Sequence, residues 1–330
     1  VEEMMAHLER AIELEPDYAE PLALMASVFA PSRWIQTTDP ADLERGVEFA
    51  TRAIEANPDL ANAHVALGYA YWRQGRIEDA IQEQEIAARL DPDSFGDYFL
   101  GGCYSELGRY EDAAVAQRRF HERVKAPVNL RRLGFEFMLL DRGAEARWAL
   151  GEGHRLALAP GSYGWQGALT SFAEQLRREG DLDGARARAM ESLAWLERSD
   201  NIFRGTLRVQ TLAGLGRICI DQEDRRGAGA AFDQALALMD ATPSGVGMGH
   251  QKVICLAGLA RVRREPALFE QAIEFFERRP SMNFGFIPLA CDVSTTCDLA
   301  HAAVDFNEPE LARDYARRSE RLGMPAHLLP

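Results

Sequence analysis

The apolar and polar positions of this chain alternate with a helical period along almost its whole length. Alanine, leucine, glutamate and arginine dominate, and the alternating β-branched runs that mark strands are missing. The pattern predicts helices of about 12–15 residues, parted by short breaks carrying Pro, Gly, Asp or Asn. Such breaks are EPDYAEP (15–21), NPDLAN (57–62), DPDSFGD (91–97) and APGSYG (159–164). Breaks at such regular intervals point to an internal repeat.

The stretch ALGYAYWRQGRIEDAIQEQEIAARLDP (66–92) sets the register. Counted from Ala61 as position 1, Leu67, Gly68, Tyr71, Ala80, Ala87 and Pro92 fall at positions 7, 8, 11, 20, 27 and 32. This spacing resembles the tetratricopeptide repeat, a helix–turn–helix unit of about 34 residues. His64 stands at position 4, where an aromatic residue is usual, and Gln84 at position 24. The marks have physical reasons. Gly68 and Ala80 are small where the two helices cross. Leu67 and Tyr71 fill the space between them. Gly75 suits a left-handed cap, and Pro92 stops the second helix.

The register extends in both directions. An upstream unit, 19–60, carries Leu22, Met25, Ala26, Phe29, Ala53 and Pro58, with an insertion at 30–40. Units follow at 61–93, 94–128 and 129–165, the last with Gly143 expected at its inner turn and Trp148 at the small-residue position. Degenerate units are expected at 166–208, 209–252, 253–292 and 293–330. Residues 1–18 read as a half repeat, with Leu8, Ala11 and Pro16 at positions 24, 27 and 32. A start on half a unit, with Val instead of Met, suggests an upstream segment; a terminal unit of one helix is the alternative.

The resemblance implies an all-α fold, a right-handed α-α superhelix formed by a solenoid of helical hairpins, in which each unit touches only its neighbours. It also implies a peptide- or protein-binding groove lined by first-helix positions 2, 5, 9, 12 and 13. On this register the wall takes Asn62, Val65, Tyr69, Trp72 and Arg73, then Phe95, Tyr98 and Glu106, then Leu130, Leu133, Phe137 and Leu140. Such an apolar, aromatic wall suits a contact site; the alternative is packing against neighbouring helices. Further on, the wall takes Arg177, Arg178, Arg217, Arg261 and Arg264. Arginine binds carboxylate and phosphate in a bidentate manner, so these could hold an acidic group of the partner; the alternative is a solvated arginine-rich surface. The Lys and Asn clamp of the family's chaperone-tail binders is not matched, since position 5 holds Val65, Tyr98 and Leu133.

Charge narrows the partners. At −14 the chain lacks the basic face that nucleic acid or an anionic membrane requires. Lys125 and Lys252 are its two lysines, and this arginine bias with abundant alanine suggests a GC-rich bacterial genome. Five cysteines at irregular spacing fit reduced thiols, and with no signal peptide or long apolar run a cytoplasmic protein is expected.

One group has chemical potential. Cys297, His301 and Asp305, four residues apart, share a helix face, as a nucleophile set or part of a zinc site would. Packing and surface roles are the alternative. No phosphate loop, nucleophile elbow or paired metal motif is present. The first reading is therefore a non-catalytic interaction or regulatory module, without cofactor, that recognises a protein or peptide segment. The second is the sensor portion of a larger bacterial signalling protein or enzyme, binding a peptide or small effector. A thiol-dependent enzyme comes third.

Overall fold

A computed structural model describes residues 2–29, 40–125, 127–157, 167–198, 204–241, 249–278 and 288–321, and Leu329. Among the described residues there are seventeen helices and no strand. The chain divides into two compact units, with a boundary after Asn129. The first unit contains α1 (Glu2–Leu14), α2 (Ala19–Phe29), α3 (Pro40–Ala56), α4 (Ala61–Arg73), α5 (Ile77–Leu90), α6 (Gly96–Glu106) and α7 (Tyr110–Val124). The second begins inside α8 (Pro127–Leu139) and continues through α9 (Gly143–Ala157), α10 (Gly167–Arg178), α11 (Leu182–Arg198) and α12 (Arg204–Asp221). It ends with α13 (Arg225–Asp240), α14 (Gly249–Arg263), α15 (Pro266–Arg278), α16 (Pro288–Asp305) and α17 (Pro309–Arg321).

The turn between paired helices is built the same way seven times. In the first unit the N–H of Arg76 donates to the Tyr71 carbonyl, and that of Arg109 to Tyr104. In the second, Arg142 donates to Phe137, Asp181 to Leu176, Asp224 to Cys219, Glu265 to Ala260 and Glu308 to Ala303. All seven bonds are 2.8–3.1 Å long. This Schellman closure satisfies an orphan carbonyl at the helix end and requires a left-handed residue just before the donor. Gly75, Gly108, Asp141, Gly180, Glu223, Arg264 and Asn307 occupy that place, with φ between 56° and 81°.

The helix crossing repeats with the same phase. Seven residues before each left-handed residue stand Gly68, Gly101, Gly134, Ala173, Gly216, Ala257 and Ala300. Five residues after it stand Ala80, Ala113, Ala146, Ala185, Ala228, Phe269 and Ala312, all buried. The four glycines are small because a side chain of the second helix lies over each. A Cβ would run into Gln84 at Gly68, Gln117 at Gly101, Leu150 at Gly134 and Phe232 at Gly216. Gln84 and Gln117 use this closeness: their Nε2 groups donate to the Val65 and Tyr98 carbonyls at 3.0 and 2.9 Å. His64 replaces the usual aromatic residue by a polar brace, with Nδ1 2.7 Å from Glu83 Oε2 and Nε2 2.9 Å from the Pro58 carbonyl oxygen.

This backbone phase corrects two expectations for the hairpin of α8 and α9. Its left-handed residue is Asp141, and Gly143 is the first residue of α9. Its small crossing residue is Ala146, fully buried, whereas Trp148 is 49% exposed. Counted back from Gly134, the hairpin opens at Pro127, two residues before Asn129; by the same count from Ala257, the α14 hairpin opens at His250 instead of Val253. At the chain start, Leu8 of α1 packs on Met25 and Phe29 of α2. Of the insertion at 30–40, residues 30–39 lie outside the described residues, and Pro40 opens α3.

Candidate interaction faces

The first helices of successive hairpins lie side by side: α2, α4 and α6 in the first unit, and α10, α12 and α14 in the second. Their outward positions form one candidate face in each unit.

In the first unit the face is aromatic and its rings are packed. Tyr69, Trp72 and Tyr98 are only 6%, 3% and 3% exposed. Phe99 sits among them, with ring centroids 5.0 Å from Tyr69, 6.3 Å from Trp72 and 5.2 Å from Tyr98. The ring that reaches solvent is Phe95, 47% exposed, with Tyr98 at 5.8 Å and Phe120 at 5.3 Å beneath it. Asn62 is exposed, and half-buried Arg73 lies 3.5 Å from the Tyr69 hydroxyl. Of the two readings of Tyr69, Trp72 and Tyr98, contact wall or packing against neighbouring helices, their burial fits the packing. Intermediate spacing predicts a wall, but neighbouring rings from the next hairpin fill the gaps between wall residues.

Phe137 does not belong to that face. It lies in the second unit, 1% exposed, at the place held by Tyr71 and Tyr104 in earlier hairpins. In all three an arginine five residues on covers the ring: Arg76 at 3.9 Å, Arg109 at 4.3 Å and Arg142 at 4.8 Å. Each arginine also pairs with an acid three residues later: Asp79, Asp112 and Glu145. The two-residue register error moved this core ring onto the predicted wall.

In the second unit the face is charged. Glu174 on α10 is the hub. Arg177 grips it with two bonds of 2.9 Å, Arg178 Nε donates at 3.2 Å, and Arg217 of α12 donates at 3.3 Å. Arg177 also reaches Asp221 at 2.5 Å, and Arg217 lies 3.2 Å from Asp298 of α16. Arg217 thus ties α10, α12 and α16 together. The side chains of Glu174, Arg177, Arg178, Arg217 and Asp298 are 11–17% exposed. Burial alone would raise the Glu174 carboxyl; the Arg177 and Arg217 guanidiniums outweigh it and hold the group well below the usual carboxylate range. Burial lowers Arg178, and Arg177 and Arg217 repel it, so Glu174 offsets the cost only in part.

Arg261 and Arg264 do not join this hub. Arg261 pairs with Asp305 at 2.6 Å. Arg264 is the left-handed residue after α14, exposed and off the face, which corrects its place on the predicted wall. The hub carboxylates Glu174 and Asp298 were not among the sequence candidates. Position 9, which Glu174 shares with Tyr69 and Arg217, was the available signal.

The Cys297, His301 and Asp305 series does not assemble as a nucleophile set. Cys297 is buried, and burial together with Asp298 pushes its thiol up to about 11, away from the thiolate form. Asp305 turns to Arg261. Cys103, Cys219, Cys255 and Cys297 are buried thiols outside any disulfide; the side chain of Cys291 lies outside the described residues. Among the described residues no group of three His, Cys, Asp or Glu could hold a metal ion, and no helix is long and apolar enough to cross a membrane.

Against known proteins, residues 61–94 match the tetratricopeptide repeat family, the same hairpin whose marks set the register. The hairpin of α4 and α5 is thus similar to a tetratricopeptide repeat. No curated protein matches it in sequence. Among solved structures it is similar to a chain of the APC/C hetero-tetramer Cut9-Hcn1, at 15% identity and a TM-score of 0.58 over 96% of this chain. It spans about half of that chain, 52%. The human IFIT1 dimer with PPP-AAAA gives 14% identity and a TM-score of 0.57, covering 97% of this chain and 68% of that one. PilF of Pseudomonas aeruginosa gives 18% and 0.51, covering 69% and 94%. At these identities the likeness is one of fold: an all-α solenoid of helical hairpins.

Proposed function

We propose that this chain is a non-catalytic interaction module whose first-helix faces recognise a protein or peptide segment. One observation carries the reading. The first helices of the first unit present a contiguous aromatic set, Tyr69, Trp72, Phe95, Tyr98 and Phe99, with Phe95 open to solvent. A ring standing on packed rings offers a rigid apolar anchor at little rotamer cost, the kind of residue that dominates interface energetics. Asn62 and Arg73 flank it with hydrogen-bonding groups. In the second unit, Arg177, Arg178 and Arg217 supply the chemistry for an acidic group. The net charge of −14 turns nucleic acid and anionic membranes away.

The sensor reading, in which a small effector binds within a larger bacterial signalling protein or enzyme, is favoured by the buried charges of the second unit. A peptide anchor favours the first. A displayed peptide library selected on the whole chain tests it: apolar-rich sequences should be recovered, and Phe95→Ala should weaken their binding about tenfold, roughly 1.4 kcal/mol. Unchanged affinity for every selected peptide would sink the aromatic face as the site. A module working in the cytoplasm fits the buried thiols outside any disulfide.

A further inference from the structure

Within the charged face of the second unit, the arginines are not equally neutralised. Arg177 has two carboxylate partners, Glu174 and Asp221. Arg217 is also ion-paired with two, Glu174 and Asp298, although its Nε makes no hydrogen bond to Asp298. Arg178 has only Glu174, which it shares with both others. Its Nη1 is sealed from solvent and finds no acceptor. A buried guanidinium N–H without an acceptor keeps its full desolvation cost. Glu174 meets Arg178 through Nε, at 3.2 Å, and leaves Nη1 without a bond. Asp298 Oδ2 is likewise buried without a donor and does not serve Arg178 either.

We propose that Arg178 is the docking point for an oxyanion group of a ligand, a carboxylate or a phosphoryl group, and that Glu174 partly occupies this site as the chain's own substitute. The proposal rests on the second unit's face being a recognition surface and is independent of the aromatic face of the first. An incoming oxyanion supplies the acceptor that Nη1 lacks, and competes with Glu174 for Arg178 and Arg217. Because Nη1 is enclosed, entry requires the Glu174 side chain to turn aside. Glu174 therefore sets both affinity and access: its negative charge weakens any anion that approaches the three guanidiniums. Asp221 and Asp298 remain in place and keep Arg177 and Arg217 ion-paired while the ligand binds.

The test is isothermal titration of the whole chain with inorganic phosphate, and in parallel with acetate, at ionic strength held constant with sodium chloride. Saturable binding is expected. Glu174→Gln should tighten it about tenfold, in line with removing a competing charge-assisted acceptor, and Arg178→Gln should abolish it. Preference for phosphate identifies a phosphoryl ligand, and equal or better binding of acetate a carboxylate. No saturable binding in either the parent or Glu174→Gln overturns the proposal, as does binding that survives Arg178→Gln unchanged. Should Arg178→Gln fail to fold, Arg178→Lys, which keeps the charge and loses the planar fork, is expected to weaken binding about fivefold or more, and unchanged binding there is equally decisive. Loss of anion binding with peptide selection on Phe95 intact would remove this site alone.

Discussion

The first-helix faces of the two units occupy the same repeat positions and use opposite chemistry. In the first unit, position 9 holds Tyr69 and position 12 holds Trp72, both packed against Phe99. In the second, position 9 holds Glu174 and Arg217, and position 12 holds Arg177, joined in one ion-paired hub. The backbone beneath is common to both, with the same left-handed turns and the same closing hydrogen bonds. A hairpin repeat thus constrains the crossing and the turn and leaves the first-helix face to carry whatever recognition requires. The two faces also differ energetically. Aromatic packing is stabilising wherever it is buried. A buried ion-pair hub breaks about even against apolar packing, but is very costly to leave incomplete.

The largest effect should come from removing the hub's centre. Glu174→Ala leaves three partly buried guanidiniums facing one another and should cost about 3–5 kcal/mol in chemical denaturation. Trp72→Leu on the other face, which strands no charge, should cost clearly less; equal losses would show that the hub is screened by water. The same carboxylate shapes the acid response. Its folded pKa is depressed, so its contribution is present above the unfolded value near 4.5 and disappears as pH falls through the folded value. Stability measured from pH 5 downward should therefore fall more steeply in the parent than in Glu174→Gln.

Next in size are the crossings. Phe232 is fully buried between Gly216 and Gly258, and a Cβ on either glycine would run into its ring. Gly216→Ala should cost about 1–3 kcal/mol by overpacking. Gly68→Ala meets first the amide end of Gln84, a flexible side chain, and should cost less, chiefly through the lost bond to the Val65 carbonyl. Thermal melts of the two variants check the order; the reverse ranking would mean that Phe232 yields more readily than its packing indicates.

The smallest effects separate the turns. At the turns inside its hairpins the first unit uses glycine, Gly75 and Gly108, with Lys125 left-handed at the end of α7, while the second uses Asp141, Glu223, Arg264 and Asn307 beside Gly180. Gly75→Ala should lose about 1 kcal/mol, and Glu223→Gly should gain somewhat less than that, because the left-handed conformation strains a residue with a Cβ. A destabilised Glu223→Gly would show that the Glu223 side chain contributes contacts beyond its backbone role.

The readability of the chain follows the same division. The repeat between Ala61 and Phe120 was legible because glycine and alanine stand where backbones approach or turn left-handed, and the side-chain type reports the backbone directly. After Pro127 the turns keep their geometry with Asp141, Glu223, Arg264 and Asn307. A count from Asn129, with Gly143 at the inner turn, runs two residues late and a count from Val253 three, which puts Phe137 and Arg264 on a face that they do not join. The sequence by itself determined the helices, their pairing into hairpins, the crossing residues Gly68, Ala80, Gly101 and Ala113, and the acidic charge that limits the partners, because each depends on local spacing or on composition. Only the tertiary structure decided which wall residues are open and which arginines act together. Phe95 stands over Tyr98 and Phe120, Arg217 joins Glu174 to Asp298 across 124 residues of chain, and Asp305 is taken by Arg261. Burial and ion pairing depend on which side chains converge in space, and helices separated by whole hairpins converge only once the stack has formed.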